Sequence, residues 1–377
     1  MNIDLVYTWV DIKDNDFLQE KLKYENILKP KDFIRVANKS RFTDNDELKY
    51  SLRSVNMYAP WINKIYIITN GQVPKWLNTN YPKIKIINHK EIMPQDSLPT
   101  FNSGAIETCL ADIEDLSEYF IYSNDDFFLN KPVKPELFFN EKGYPIANFV
   151  IQHWDKEKYL ESVHCHNVVY SSNLIYKKFG IKYNFELYHN MSPYRKSYFL
   201  ECKNEFKEDF TRTTCAKFRE RDCVLPIIVN LYGLVKNKLE FKIRKNNSRY
   251  FKLYSCFIEL SYVREMKKIL KRNSPTLFCI NDNNKAKDIY RKKLGAFLNS
   301  LFPNPAPWEK EEYITINHYN KDEQKKKYIK YFWHYSFIYI KYKFYKVLFQ
   351  ISFGKIKKYS QKRYEYLKEK IKIIRAL

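Results

Sequence analysis

Four short runs rich in β-branched and aromatic residues lie at positions 3–10, 65–69, 84–87 and 118–123, with helix-patterned segments between them. Such runs read as strands. Strands that alternate with helices give an α/β fold with a mostly parallel sheet. Between the first two runs, Leu48, Leu52, Val55 and Ala59 form an apolar stripe at helical spacing, and Pro60 closes it. Asp44-Asn45-Asp46-Glu47 reads as the start of that helix, an Asp N-cap with Glu three residues on. Residues 15–39 are charged and predict helix in part. Gly71 marks a turn, and Ile106, Cys109, Leu110 and Ile113 mark a further amphipathic helix. After about residue 140 the periodicity weakens. Residues 141–186 mix aromatic, histidine and polar residues without clear period, and helical segments return over 197–235. Residues 277–280 form another strand-like run, and Pro303 to Trp308 make a stiff, extended segment. No internal repeat occurs.

The chain has 377 residues, 45% of them hydrophobic, which is enough for one α/β domain with a substantial insertion or for two domains. Lys and Arg number 66 against 43 Asp and Glu, a net charge of +23. That balance points to an anionic partner without choosing among nucleotide, nucleic acid, acidic polymer and membrane surface. The richness in Lys, Asn, Ile and Tyr is also what an AT-rich genome produces. With 7 Gly, and neither a G-x-G-x-x-G nor a G-x-x-x-x-G-K motif, a dinucleotide fold or a P-loop is disfavoured. Seven Cys without a C-x-x-C pair fit neither a disulfide framework nor structural zinc, and reduced thiols in a cytoplasm are expected. No signal peptide is expected, because no basic segment followed by an apolar one opens the chain. No uncharged apolar run of spanning length occurs, so no spanning helix is expected.

The chemistry centres on Asn124-Asp125-Asp126, directly after the run at 118–123. Ligands of open α/β sheets bind at the carboxyl ends of strands. Carboxylates there are too costly to bury unpaired. Mg²⁺ (or Mn²⁺) holding substrate phosphates would compensate them, since Mg²⁺ typically takes one or two carboxylates plus phosphate oxygens. The bland alternative is a loop of solvated acids. Adjacent side chains on an extended segment point to opposite sides, so one of Asp125 and Asp126 is expected to ligate directly.

Several blocks together resemble the Stealth family. They are residues 3–11, Ile-Asp-Leu-Val-Tyr-Thr-Trp-Val-Asp; residues 41–54, from Arg41-Phe42-Thr43-Asp44 to Ser54; and residues 59–62 and 65–77. Leu98 to Glu107 followed by residues 120–126 continue the likeness, as do His189 to Ser197, residues 217–222, residues 279–282 and the stretch from Phe302 to Glu309. The resemblance covers about residues 1–310. It departs at Ile12, Asn70, Gly104 and Asn190-Met191-Ser192; at Gly104 a His is common. The resemblance implies a GT-A-like nucleotide-sugar-binding domain, a UDP-sugar donor such as UDP-GlcNAc, and a divalent metal. The implied reaction is transfer of a sugar-1-phosphate to a hydroxyl of a capsular glycan acceptor, with release of UMP. The expected organisation is a Stealth-type catalytic domain over residues 1–317, with an irregular and helical acceptor-side region at about 141–260, followed by a basic, aromatic, helical tail over 318–377 that the composition indicates.

On that reading His189 is the general base, because an imidazole near neutral pKa accepts a hydroxyl proton. The alternative is a histidine that packs or only binds substrate. Arg219 is the clamp on the transferring phosphate, since guanidinium matches phosphate bidentately; its alternative is a surface salt bridge with Glu220 or Asp222. Asp125, Asp126, Asn281 and Asp282 are the metal candidates, the last two equally readable as a turn. Trp9, Asp11, Arg41, Asn45, Arg53, Asn102, Ser103, Asn124 and Asp222 are candidate donor contacts. Trp9 reads equally as core, and Asn102 and Ser103 precede a helix, where backbone donors face a phosphate. His164-Cys165-His166 reads as structural, without further ligand spacing for zinc.

The tail interleaves Lys341, Lys343 and Lys346 with Tyr342, Phe344 and Tyr345, the composition of an interfacial membrane helix. A cytoplasmic protein peripheral to the inner membrane, near capsule export machinery, is the expectation; acceptor docking or plain structure are the alternatives. Nucleic acid is not expected as a partner. Two further readings stand beside the leading one: a metal-dependent glycosyltransferase releasing UDP, and a non-catalytic basic protein binding polysaccharide or nucleic acid. Acids at strand ends disfavour the last, because a polyanion cleft should exclude them.

Overall fold

A computed structural model describes residues 1–28, 42, 44–151, 162–244, 251–255, 275–281, 288–313, 341, 343–345, 347 and 361–368. The chain forms two compact units, Met1–Thr315 and Ile316–Leu377. In the first unit, β1 (Ile3–Thr8), β2 (Ile65–Thr69), β3 (Ile84–Asn88) and β4 (Tyr119–Asn124) pair in parallel in the order β3-β2-β1-β4. The next strands in the chain are β5 (Phe127–Leu129), β6 (Ile146–Ile151), β7 (Phe185–Leu187) and β8 (Ser192–Arg195). The last of these closes the sheet antiparallel to β4. The α/β class with a mostly parallel sheet is as expected. Ile3, Leu5, Val6 and Tyr7 of the central strand are all buried, as a parallel strand covered on both faces requires. Its Asp4 is buried too, yet it accepts from Asn63 Nδ2 at 2.8 Å, Lys64 N at 3.1 Å and Ser117 N at 2.7 Å.

After α1 (Asn15–Leu28), the helix α2 (Glu47–Tyr58) lays Leu48, Leu52 and Val55 on one face of the sheet against Leu5 and Tyr7. Each such side chain contributes about 1.5–3 kcal/mol by leaving water. Two short helices follow, α3 (His89–Ile92) and α4 (Ser103–Glu107). The opposite face of the sheet is covered by α5 (Val163–Phe179), α6 (Lys196–Glu205), α7 (Lys207–Cys215) and α8 (Ile227–Val235), through Phe199, Phe210 and Ile228. The strands β9 (Glu240–Ile243), β10 (Phe251–Ser255) and β11 (Leu277–Asn281) complete two small sheets, β7-β6-β9 and β10-β11-β5. The antiparallel pairing of β11 with β5 sets Cys279 opposite Phe127, which carries the closing segment to the acids after β4. A final helix, α9 (Asp288–Leu301), packs Leu294, Phe297 and Leu298 with Tyr50 and Phe128.

Three local expectations are corrected. The N-cap of α2 is Asp46, in the left-handed region at φ 64° and without a side-chain cap bond, rather than Asp44. The helix expected from Ile106 to Ile113 is instead the five-residue α4 and a separate 3₁₀ turn at Leu110–Asp112. Residues 141–186, which lack periodicity, contain β6, β7 and the 17-residue α5. Gly71 turns with φ 107°, a conformation that favours glycine.

Candidate active site

The main sheet ends at Asn124, whose partner across β1 is Thr8, and Asp125 and Asp126 form the turn into β5. That turn is pinned from below and from the side. Tyr7 Oη meets Ser51 Oγ at 2.8 Å, and Ser51 Oγ donates to the Phe127 carbonyl at 2.5 Å. The Ile280 amide donates to the Asp126 carbonyl at 3.2 Å, and Cys279 Sγ donates to Asp126 Oδ2 at 3.2 Å.

Six acids act on one another here. Burial, then the charges of Asp126 and Asp44, push the Asp125 carboxyl well above the usual range. Burial also holds Asp126 up at about 6, against the lowering effect of the Cys279 bond. Asp44 and Glu47 are each pushed up to about 8: both by burial first, Asp44 then by Glu47, Asp46 and Asp11, and Glu47 by Asp125. Asn45 holds Glu47 through its backbone N–H at 2.5 Å and its side-chain amide at 2.8 Å. Asp44 Oδ1 and Asp126 Oδ1 are buried with no hydrogen-bond partner among the described residues. Buried, unpartnered carboxylate oxygens are costly unless a cation compensates them. Oxygen-only donors fit a hard divalent ion.

On the other side of the acids stands His189, between β7 and β8. Its ring sits edge-on to Phe127 with centroids 4.9 Å apart and hydrogen-bonds the Asn281 side chain. The residue as a whole is exposed. The crowded cleft still disfavours imidazolium and pushes its pKa down to about 4, helped by the charges of His164 and Arg219 and opposed by the Asn281 bond. At neutral pH it is therefore an uncharged imidazole with an accepting nitrogen. Ligand atoms of Asp126, His189 and Cys279 lie within 4.8 Å of one another.

Arg219 donates to Ser103 Oγ, and its charge is the first influence lowering the buried Glu107 carboxyl, which burial raises. Glu107 also accepts from Tyr122 Oη at 3.3 Å, and Tyr122 Oη meets Thr8 Oγ1 at 3.0 Å. Asn102 caps α4 by accepting from Gly104 N at 3.0 Å, while its Nδ2 donates to the carbonyls of Ala216 at 3.1 Å and Phe218 at 3.3 Å. Asn102 and Ser103 thus fasten and orient the segment that carries Arg219. The alternative of a surface pair between Arg219 and Asp222 does not form, because Asp222 pairs with Arg212 at 2.8 Å on an exposed face.

The remaining candidates divide. Asp11 lies at the end of β1 beside Asp44, its carboxylate accepting from Lys13 N at 3.0 Å. Trp9 is 8% exposed and belongs to the core, with its indole N–H unpartnered among the described residues. Arg53 is engaged elsewhere: Nε and Nη2 bind Glu309 at 2.6 and 2.7 Å, and Nη1 binds the Phe302 carbonyl at 3.0 Å. With both edges of its fork occupied inside the protein, Arg53 is removed from the donor contacts. Arg41 and Asp282 lie outside the described residues, as does His153. His164 meets Glu186 at 3.1 Å and His166 meets Arg221 at 3.1 Å. Glu47, Glu107 and Cys279 were not singled out by sequence reasoning. The one local signal for Glu107 is an acid inside the apolar stretch from Ala105 to Ile113.

Comparison with known proteins adds to this geometry. Residues 41–147 match the family model for Stealth protein CR2, conserved region 2, and residues 267–314 match that for Stealth protein CR4, conserved region 4. The chain is 34% identical over 312 residues to capsular polysaccharide phosphotransferase fcs1 of Haemophilus influenzae, covering 80% of this chain and 84% of that protein. It is 34% identical over 327 residues to capsular polysaccharide phosphotransferase SacB of Neisseria meningitidis serogroup A, covering 82% of this chain and 57% of that one. Among solved structures, galactosyltransferase LgtC aligns over 81% of this chain and 98% of its own at 13% identity and a TM-score of 0.37, too loose a likeness to argue from.

Proposed function

We propose a reaction for this chain, which belongs to the Stealth family of polysaccharide phosphotransferases: it moves a sugar-1-phosphate from a UDP-sugar to a hydroxyl of a capsular glycan. The acceptor oxygen forms a bond to the phosphorus nearest the sugar. The bond from that phosphorus to the bridging oxygen breaks, UMP leaves, and a phosphodiester remains. N-acetylhexosamine-1-phosphate is the favoured group. The observation that carries this reading is the meeting of an uncharged His189, the Arg219 guanidinium and the Asp125–Asp126 turn at the carboxyl end of the central sheet.

Each group has a distinct task. His189 takes the acceptor proton on the ring nitrogen that faces the cleft. Arg219, held by Ser103 and Glu107, neutralises charge on the transferring phosphoryl group, because phosphoryl transfer is mostly positioning and charge stabilisation. Asp125 and Asp126, with Asn281, would hold Mg²⁺ or Mn²⁺, which when bound supplies charge neutralisation on the donor pyrophosphate. Asp11 and Asn124 line the donor side of the same strand ends. Among the described residues no helix is long and apolar enough to cross a membrane. The basic, aromatic residues after 318 would hold the enzyme on the anionic cytoplasmic face of the inner membrane, beside the export machinery.

The test is the nucleotide product. Protein, glycan acceptor, a panel of UDP-sugars and Mg²⁺ are incubated, and phosphorus NMR reads the outcome. UMP with a new phosphodiester resonance is expected. UDP would mean transfer of the sugar alone, and no nucleotide release with any donor would mean a binding role.

A further inference from the structure

Asp126, His189 and Cys279 offer a combination that a magnesium site does not need: one carboxylate oxygen, one imidazole nitrogen and one thiol sulfur, all within 4.8 Å of one another. We infer that this trio is a second, softer cation site, which takes Zn²⁺ or a similar first-row ion in competition with the hard ion of the acidic cluster. Donor chemistry carries the inference. Mg²⁺ selects oxygen ligands, whereas thiolate and imidazole select zinc and its neighbours.

The geometry is close to what such an ion requires. Cys279 Sγ already lies 3.2 Å from Asp126 Oδ2. Zinc bonds of about 2.3 Å to sulfur and about 2.0–2.1 Å to nitrogen place neighbouring ligands of a tetrahedron roughly 3.5 Å apart. Asn281 Oδ1, 3.7 Å from Cys279 Sγ, stands where an oxygen ligand would enter. Position in the fold keeps the trio together: Cys279 faces Phe127 across the β5–β11 ladder, and the ring of His189 rests on that same Phe127.

Proton and charge balance are simple. The Cys279 thiol gives its proton to solvent as the Zn–S bond forms, and His189, already neutral, gives none. Zinc binding therefore becomes tighter as pH rises. Zinc so held occupies the His189 nitrogen that the proposed reaction needs, and would stop turnover. The site itself rests on donor atoms and not on that reaction, so the two fail separately.

Cobalt(II) reads the site without any sugar donor. Co²⁺ added to the full-length protein should give a sulfur-to-cobalt charge-transfer band in the near ultraviolet and strong visible bands of tetrahedral type. Zn²⁺ should bleach both, and Mg²⁺ at similar concentration should not. Cys279→Ser should lose the charge-transfer band, while Cys215→Ser, at the exposed cysteine, should keep it. His189→Gln, which removes one donor atom, should keep the band but weaken cobalt affinity at least as much as loss of an outer partner does, about 10–100-fold. An unchanged band in Cys279→Ser, or wild-type protein that binds Co²⁺ with no such band, would overturn the inference. If Cys279→Ser does not fold, Asp126→Asn with unaltered spectrum and affinity would overturn it equally.

Discussion

Arg53 offers a sharp separation between two readings of one residue. Its sequence position suits a contact to donor phosphates. Its side chain instead grips Glu309 through two bonds of 2.6 and 2.7 Å, and both side chains are almost wholly buried. The pair joins α2 to the segment after α9. Arg53→Ala leaves the Glu309 carboxylate inside the protein with only the Ala306 amide at 2.8 Å and Lys49 at 3.9 Å. Breaking a buried pair from one side costs about 3–5 kcal/mol. The first unit ends at Thr315, so at about 2.1 cal/mol/K per residue its unfolding entropy is about 0.7 kcal/mol/K. The expected fall in Tm is then about 4–7 °C. Scanning calorimetry measures it, and titration calorimetry with UDP-sugar at 10–15 °C measures donor affinity, which should not change. The double variant Arg53→Met/Glu309→Leu should recover most of the lost Tm, because an apolar pair of similar size removes both buried charges. An Arg53→Ala protein of unchanged Tm with donor affinity at least about tenfold weaker would refute the argument and return Arg53 to the substrate site.

Further predictions concern the site and the two units. His189→Ala should lower kcat by about 10²–10⁴ with donor affinity retained, and in the unsubstituted protein the acid limb of kcat/KM should fall near pH 4 rather than 6.5, as stopped assays over pH 3.5–8 would show. Arg219→Lys should lose at least as much, because a point charge cannot reproduce a planar fork; near wild-type rates would make Arg219 a merely structural partner of Glu107. The buried His89 is held near pKa 4 by desolvation, so it stays neutral when folded but takes a proton when unfolded below pH 6.5. Its contribution is fully present above pH 6.5 and is lost as pH falls toward 4, by up to about 3 kcal/mol, which His89→Gln should abolish in urea melts. Deleting residues 316–377 should leave turnover in solution and abolish co-sedimentation with anionic vesicles; a truncated protein that no longer folds would contradict the independence of the second unit.

The four parallel strands were legible in the sequence because the sheet is covered on both faces, so β2 and β4 read as apolar, aromatic runs and β1 and β3 as such runs with one polar residue, Asp4 or Lys85, while the antiparallel β8, Ser-Pro-Tyr-Arg, carries no such signal. The face of α2 was legible for the same reason: Leu48, Leu52, Val55 and Ala59 are all 2% exposed or less. The long helix α5 was not, since its buried residues mix Val163, Val168 and Ile175 with Cys165, Asn167, Ser171 and Ser172. One of these polar residues is held by a tertiary bond that no local pattern announces: Ser171 Oγ accepts from Leu225 N at 3.0 Å, while it also donates to the Asn167 carbonyl one turn back at 2.8 Å. Strand β9 also stayed hidden, because Phe241, Lys242 and Ile243 are exposed and show no alternation. At the site, Asp125 and Asp126 announced themselves by ending an apolar run. Glu107 and Cys279 did not, because their meaning lies in partners brought from distant segments, Arg219 and Asp126.

The distribution of charge then follows from the fold. A chain of net charge +23 gathers Asp11, Asp44, Glu47, Asp125 and Asp126 at one end of its central sheet. With Asp44 and Glu47 held near 8, the protein without a cation keeps protons on these groups at neutral pH. Folding therefore takes up protons there, and its stability falls as pH rises from about 4 to about 8. A divalent ion reverses the sign, since it replaces those protons and binds only the folded arrangement. The acidic cluster comes from the segments after β1 and β4 and the approach to α2, whereas His189 lies between β7 and β8 and Arg219 follows α7. The two groups meet at Phe127, against which the His189 ring packs, and at Asn281, whose side chain hydrogen-bonds His189. Arg219→Lys should impair turnover while leaving Mg²⁺ binding intact, and loss of both together would show that the two sides of the cleft are not separately built.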